Sequence, residues 1–130
     1  MRALSASVWT SQQLQPEALP ALAEAGVRRV INNRPDGEEP GQPSAAAVQA
    51  SAVAAGLEYV WIPISGLPSP DQVAEVADAL ADDRPTVMFC RSGMRSAAVW
   101  AMARAGAGDD PASLREAAAN AGYDLSRQPL

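Results

Sequence analysis

A chain of 130 residues with 48% hydrophobic content has the length of one domain and enough apolar side chains to bury a core. Its 10 basic and 15 acidic residues leave a net charge of −5, which excludes the basic stripe that a nucleic-acid backbone demands. It has no histidine and a single cysteine, which excludes Cys-His and Ser-His dyads, His-ligated metal sites and internal disulfides, so no metal or other cofactor is expected.

The elements follow one another with clear punctuation. Ser7–Thr10 reads as a first strand. Pro16 suits a first helical residue, and Leu19, Leu22 and Ala23 recur at helical spacing up to a cap at Gly26. Val27–Asn32 reads as a second strand, followed by a Pro/Gly-rich loop from Arg34 to Ser44. Ser44 caps a helix that closes at Gly56. Leu57–Ile64 reads as a third strand. Ser69 and Pro70 open a helix that presents Val73, Val76 and Leu80 on one face. Pro85–Phe89 is short and apolar throughout, the signature of a strand buried on both sides. A helix over about 95–105 follows, and Asp110-Pro111 opens a last one ending near Gly122.

Alternation of this kind predicts an α/β fold, a three-layer α/β/α arrangement around a four-stranded, mainly parallel sheet. A single domain is expected over 1–130, with its core at about 8–105 and a C-terminal helix and tail at 106–130. Trp9, Trp61 and Trp100 are expected to fill that core. No apolar run approaches the roughly 18 residues that cross a bilayer. Met1–Trp9 lacks the hydrophobic stretch of a secretory leader, and a lone thiol suits a reducing compartment. A cytoplasmic protein with neither membrane nor nucleic-acid partners is the expectation.

In parallel sheets ligands bind beyond the carboxyl ends of the strands. Three loops collect there: 32–44, 64–69 and 90–95. The last reads Cys90-Arg91-Ser92-Gly93-Met94-Arg95-Ser96, directly between a buried strand and a helix. Backbone amides of such a turn point into its centre and the helix adds its positive end, so Arg91, Ser92, Gly93 and Met94 form an anion cradle. Gly93 permits a conformation that a side chain would resist. Arg95 can fork onto an oxyanion. The same field acidifies the Cys90 thiol and makes it the candidate nucleophile. Ser96 is placed to hydrogen-bond the sulfur. The plainer alternative is that Cys90 is a structural thiol, since free cysteines are commonly buried.

Arg34 and Asp36 leave the second strand on the same face. Arg34 is a candidate anion ligand and Asp36 a candidate general acid, although Pro35-Asp36-Gly37 is also an ordinary solvated turn. The 64–69 loop on the same face holds no carboxylate, and Asp71 reads as a helix-terminus charge.

The Cys90–Arg95 spacing matches the six-residue loop of rhodaneses, whereas tyrosine and dual-specificity phosphatases use one residue more. A tighter ring of amides suits a persulfide. The upstream patterns of rhodaneses are missing. The string from Ile31 to Pro43, Gly56-Leu57-Glu58-Tyr59, Ile62-Pro63, Cys90-Arg91-Ser92-Gly93 and Trp100 instead resemble a bacterial family, the phosphatase-like domain found alone or attached to β-lactamase-like hydrolases. The resemblance runs from about Thr10 to Ala105. It implies a cysteine-phosphatase-like fold of the compact dual-specificity type, with a shortened loop. The implied activity is phosphoester hydrolysis through a cysteinyl-phosphate on Cys90. A rhodanese-like sulfurtransferase carrying a persulfide on Cys90, and a catalytically weak anion-binding domain, are the alternatives. The partner in each case is a small anion, a phosphoester or a sulfane-sulfur donor. One departure stands out: Phe89 occupies the position where the family commonly has a histidine.

Overall fold

The computed structural model describes residues 1–130. Its elements are β1 (Arg2–Ala3), β2 (Val8–Ser11), α1 (Leu19–Glu24), β3 (Arg29–Asn32), α2 (Ala45–Ala54), β4 (Glu58–Trp61), α3 (Pro70–Ala79), β5 (Thr86–Phe89), α4 (Met94–Gly106) and α5 (Pro111–Asn120), with a short 3₁₀ turn at Pro16–Ala18 before α1. The sheet has five strands in the order β1-β2-β5-β3-β4. Four of them are parallel and β1 alone runs antiparallel, pairing Arg2 with Thr10 and Ala3 with Trp9. The fifth strand corrects the expected four. Two residues at an edge carry no periodic pattern, so nothing in Arg2-Ala3 marks it as a strand.

Alternation along the strands builds two cores. Val8, Ile31 and Met88 point to the layer of α3, α4 and α5, where Val76, Val99, Trp100 and Leu114 close over them. Val30, Val87 and Phe89 point to the opposite layer, against Leu19 of α1 and Val48 and Ala52 of α2. This is the three-layer arrangement expected. Each such aliphatic side chain contributes roughly 1.5–3 kcal/mol on burial. β5 lies at the centre of the sheet and is buried at all four positions, so whatever follows Phe89 is carried on the most constrained strand.

The helix starts follow the residues that mark them. Ser44 accepts a hydrogen bond from Ala47 N. Ser69 and Gln72 form a reciprocal capping box at the head of α3, and Asp110 accepts from Ser113 N at the head of α5. Trp100 is buried as expected. Trp61 is not: it is 42% exposed, and its indole N–H donates to Arg34 O at 3.0 Å. At the opposite end of the sheet from the Cys90 loop, buried Arg29 is held by Glu58 and Asp82, and these hydrogen bonds outweigh the cost of burial and keep it more basic than usual.

Candidate active site

The segment after β5 turns sharply. Cys90 has no exposed surface, and Gly93 takes a left-handed φ of +97° as the cap of α4. That conformation turns the Gly93 N–H back onto the cysteine, where it donates to Sγ at 3.0 Å. Arg91 and Ser92 between them are exposed. The turn is tied down by Gln13 N, which donates to Arg91 O at 3.3 Å, and by Met94 N, which reaches Ser92 Oγ at 3.4 Å.

Arg95 lies one residue into that helix. Its Nη1 donates to Glu38 Oε2 at 2.8 Å and to Ile64 O at 2.8 Å, and its Nη2 donates to Glu38 Oε1 at 2.8 Å. The hydrogen bonds that Arg95 donates to Glu38 hold it more basic than an ordinary guanidinium against the opposing effect of burial, and the neighbouring Cys90 sulfur adds to this. Glu38 is held in turn. The hydrogen bonds of Arg95 outweigh burial and, with those of Arg34, depress its carboxyl to about 2.

Arg34 is almost wholly enclosed, at 1% exposure. Its Nε donates to Glu38 Oε1 at 2.9 Å, Nη1 to Gln13 Oε1 at 3.0 Å and Nη2 to Glu39 Oε1 at 3.0 Å. Burial opposes its charge, and the bonds to Glu38 and Glu39 overcome that cost. Arg34 thus fixes the acidic turn, and the turn fixes Arg95. Arg91 points outward, 3.5 Å from Glu39.

Two side chains sit differently from their expected roles. The Ser96 hydroxyl donates to Asn33 Oδ1 at 2.8 Å, not to the sulfur. Asp36 Oδ1 accepts from Ala45 N at 2.7 Å, satisfying one of the free donors at the head of α2. The structure therefore brings together Cys90, Gly93, Met94 and Arg95, holds Arg34 one contact away through Glu38, and ties Asp36 to a helix start.

Two residues that sequence reasoning passed over are central. Glu38 lies in the turn that reads as solvated, and only tertiary contact separates it from Glu39. Asn33 is fully buried and joins the end of β5, the segment after β4 and the start of α4: its N donates to Phe89 O at 2.8 Å, its Nδ2 donates to Ile62 O at 3.1 Å, and its Oδ1 receives Ser96. A buried asparagine immediately after a strand was the available signal, because such a group must find partners for both ends of its amide.

Residues 1–107 match the family model described as beta-lactamase hydrolase-like protein, phosphatase-like domain. The chain belongs to this family. Among curated relatives, the beta-lactamase hydrolase-like protein of Xylella fastidiosa (strain Temecula1) is 37% identical over 109 residues, 82% of this chain and 25% of that protein. The one from Agrobacterium fabrum (strain C58) is 35% identical over 88 residues, 66% of this chain and 20% of that protein. The chain thus spans a quarter or less of these relatives. Among solved structures, a candidate phosphatase from Neisseria meningitidis Z2491 is 26% identical with a TM-score of 0.82, covering 95% of this chain and 89% of that one. Tk-PTP in its active form has a TM-score of 0.71 at 20% identity, covering 98% of this chain and 88% of that one, which shows the same fold. This member of the phosphatase-like domain family therefore has the cysteine-phosphatase-like fold, and no helix in it is long and apolar enough to cross a membrane.

Proposed function

We propose that the domain, 1–130, is a cysteine-dependent phosphatase that hydrolyses small phosphoesters through a cysteinyl-phosphate on Cys90. The observation that carries this reading is the pairing at the head of α4: Gly93 N–H on Cys90 Sγ at 3.0 Å, beside an Arg95 already fixed by Glu38. A hydrogen bond to sulfur and a nearby guanidinium both favour thiolate over thiol. A guanidinium has five N–H donors. Glu38 and Ile64 take three of those on Arg95, which leaves Nε–H and one Nη2–H as a second fork for a phosphoryl oxyanion.

The chemistry balances without a cofactor. The Cys90 thiolate attacks phosphorus as the ester P–O bond breaks, and the leaving oxygen departs with the bonding pair. Amides of 91–94 and the free fork of Arg95 receive the charge on the phosphoryl oxygens. Water then attacks phosphorus as the S–P bond breaks; both water protons leave on inorganic phosphate, and sulfur keeps the bonding pair as thiolate.

A general acid for the leaving oxygen is not provided by the 64–69 loop. Glu38, held to about 2, is ionised at neutral pH and has no proton to give. Asp36 is tied through Oδ1 to Ala45 N at the head of α2, which leaves Oδ2 as its one oxygen for a proton. The substrates favoured by this site are accordingly phosphoesters with weakly basic leaving groups, such as aryl phosphates.

The phosphatase-like family and the fold of its structural neighbours support phosphoester hydrolysis over sulfur transfer. One solved neighbour of this fold, the core catalytic domain of the PP-IP phosphatase SIW14 from S. cerevisiae, was crystallised in complex with citrate, a small polyanion in keeping with an anionic partner here. The test is a paired assay of the purified protein with aryl phosphate and with thiosulfate plus cyanide. Phosphate release that disappears in Cys90→Ala is expected. Thiocyanate formation without phosphate release overturns the proposal in favour of sulfur transfer.

A further inference from the structure

Residues beyond 107 lie outside the family match, yet the chain returns through them to the Cys90 loop. Helix α5 packs on α4 through Leu114 and Ala118. The segment after it is fastened to β1, where Arg2 Nη1 donates to Ala121 O at 2.7 Å. The Arg2 guanidinium also lies over the Tyr123 ring, 5.7 Å from its centroid. Tyr123 is 8% exposed. Its hydroxyl receives a hydrogen bond at 3.0 Å from Thr10 Oγ1, on fully buried Thr10 of β2. That hydroxyl lies directly against Gly93, so that a methyl group at Gly93 would overlap it.

We propose that Tyr123 is a positioning residue for the nucleophile. Its hydroxyl, fixed by Thr10, presses on the Gly93 peptide and keeps the Gly93 N–H aimed at Cys90 Sγ. Glycine is the residue least able to hold its own backbone conformation. Ala97 N ties the Gly93 carbonyl into α4 at 2.9 Å, but the other ties on this turn, at 3.3 Å and 3.4 Å, are long for hydrogen bonds. On its N–H side the geometry at Gly93 is therefore set by what packs against it. Tyr123 does so without a hydrogen bond to the sulfur or to Arg95. The inference deepens the phosphatase reading by making the C-terminal segment part of the active-site scaffold.

The consequence is a shift in thiol acidity, because an N–H bonded to the charged form of a group favours that form. The test is the pH dependence of Cys90 alkylation by iodoacetamide in the full chain, for wild type, Tyr123→Phe, Thr10→Val and the double variant, with melting temperatures alongside. Tyr123→Phe keeps the ring in the core and deletes only the hydroxyl. It should raise the alkylation midpoint by on the order of one pH unit. Thr10→Val should shift it in the same direction. The double variant should shift it no further than Tyr123→Phe alone, because both act through one contact. An acidified wild type with an unchanged midpoint in Tyr123→Phe and Thr10→Val overturns this inference and leaves the phosphatase reading standing, and a lowered melting temperature with that unchanged midpoint gives Tyr123 a purely structural role. A wild-type midpoint at the free-cysteine value overturns both.

Discussion

Arg95 and Glu38 meet end to end, two guanidinium nitrogens on two carboxylate oxygens at 2.8 Å each, and the carboxylate is shared with Arg34. A bidentate pair of this kind fixes the plane of the guanidinium as well as its position. Arg95 is thus held in place by Glu38 and Arg34, which supply the frame on which the proposed anion site rests.

Glu38→Gln tests whether that frame matters. The amide offers one acceptor where the carboxylate offers two and carries no charge, so Arg95 loses its fork. Turnover of aryl phosphate should fall about tenfold, in line with a bond to a charged group worth roughly 1.5–3 kcal/mol. The alternative role for Glu38 is obstruction of the anion site, which would appear as a gain in turnover and in Cys90 alkylation.

The pH dependence of the same pair has a definite sign. The Glu38 carboxyl is lowered from 4.5 to about 2 in the folded protein. Its contribution to stability is complete above the unfolded value and is lost as the pH falls through about 2. Wild-type pH–rate and stability profiles should therefore show no limb belonging to Glu38 from mildly acidic to neutral pH. Stability should instead fall between about 4.5 and about 2 along a limb that vanishes in Glu38→Gln, and a wild type without that limb would contradict the pairing.

Arg95 and Arg91 should separate cleanly. Arg95→Ala removes the oxyanion fork and should cost about 10²–10³ in kcat, the range seen when one preorganised donor is lost. Arg95→Lys should recover only part, since a point charge lacks the fork. Arg91 projects outward beside Glu39, and Arg91→Ala should leave kcat within a few-fold. Kinetics of all three variants on one aryl phosphate decide this, and equal losses would refute the placement of the loop.

Asp36→Asn addresses the leaving-group proton. Asparagine can still accept from Ala45 N, so the start of α2 should survive. If Asp36 supplies the proton, the variant loses activity on alkyl phosphates such as phosphoserine and keeps it on aryl phosphates. If its only task is the helix start, the aryl-to-alkyl ratio stays as in wild type.

Much of this was legible in the residues. The order of strands and helices follows from apolar periodicity and from Ser44, Ser69 and Asp110 at helix starts, all local signals. The Cys90–Arg95 loop was legible because glycine, arginine and cysteine each have a separate physical reason to be there. What escaped depends on long-range contact. Arg2-Ala3 is a strand only because β2 offers it an edge. Glu38 differs from Glu39 and Asp36 only in which side chain it meets across 57 positions of sequence. Ser96 turns to Asn33 because a buried amide must be satisfied, and Tyr123 reaches Gly93 from a segment with no motif of its own.

The central claim is a covalent bond between phosphorus and the Cys90 sulfur. Rapid acid quenching during turnover of an aryl phosphate, followed by intact-mass and peptide analysis, tests it most directly. The account predicts a phosphoryl adduct on the Cys90 peptide that forms within the first turnover and is absent from Cys90→Ala. Full turnover with no adduct at any quench time, or undiminished hydrolysis by Cys90→Ala, would contradict it.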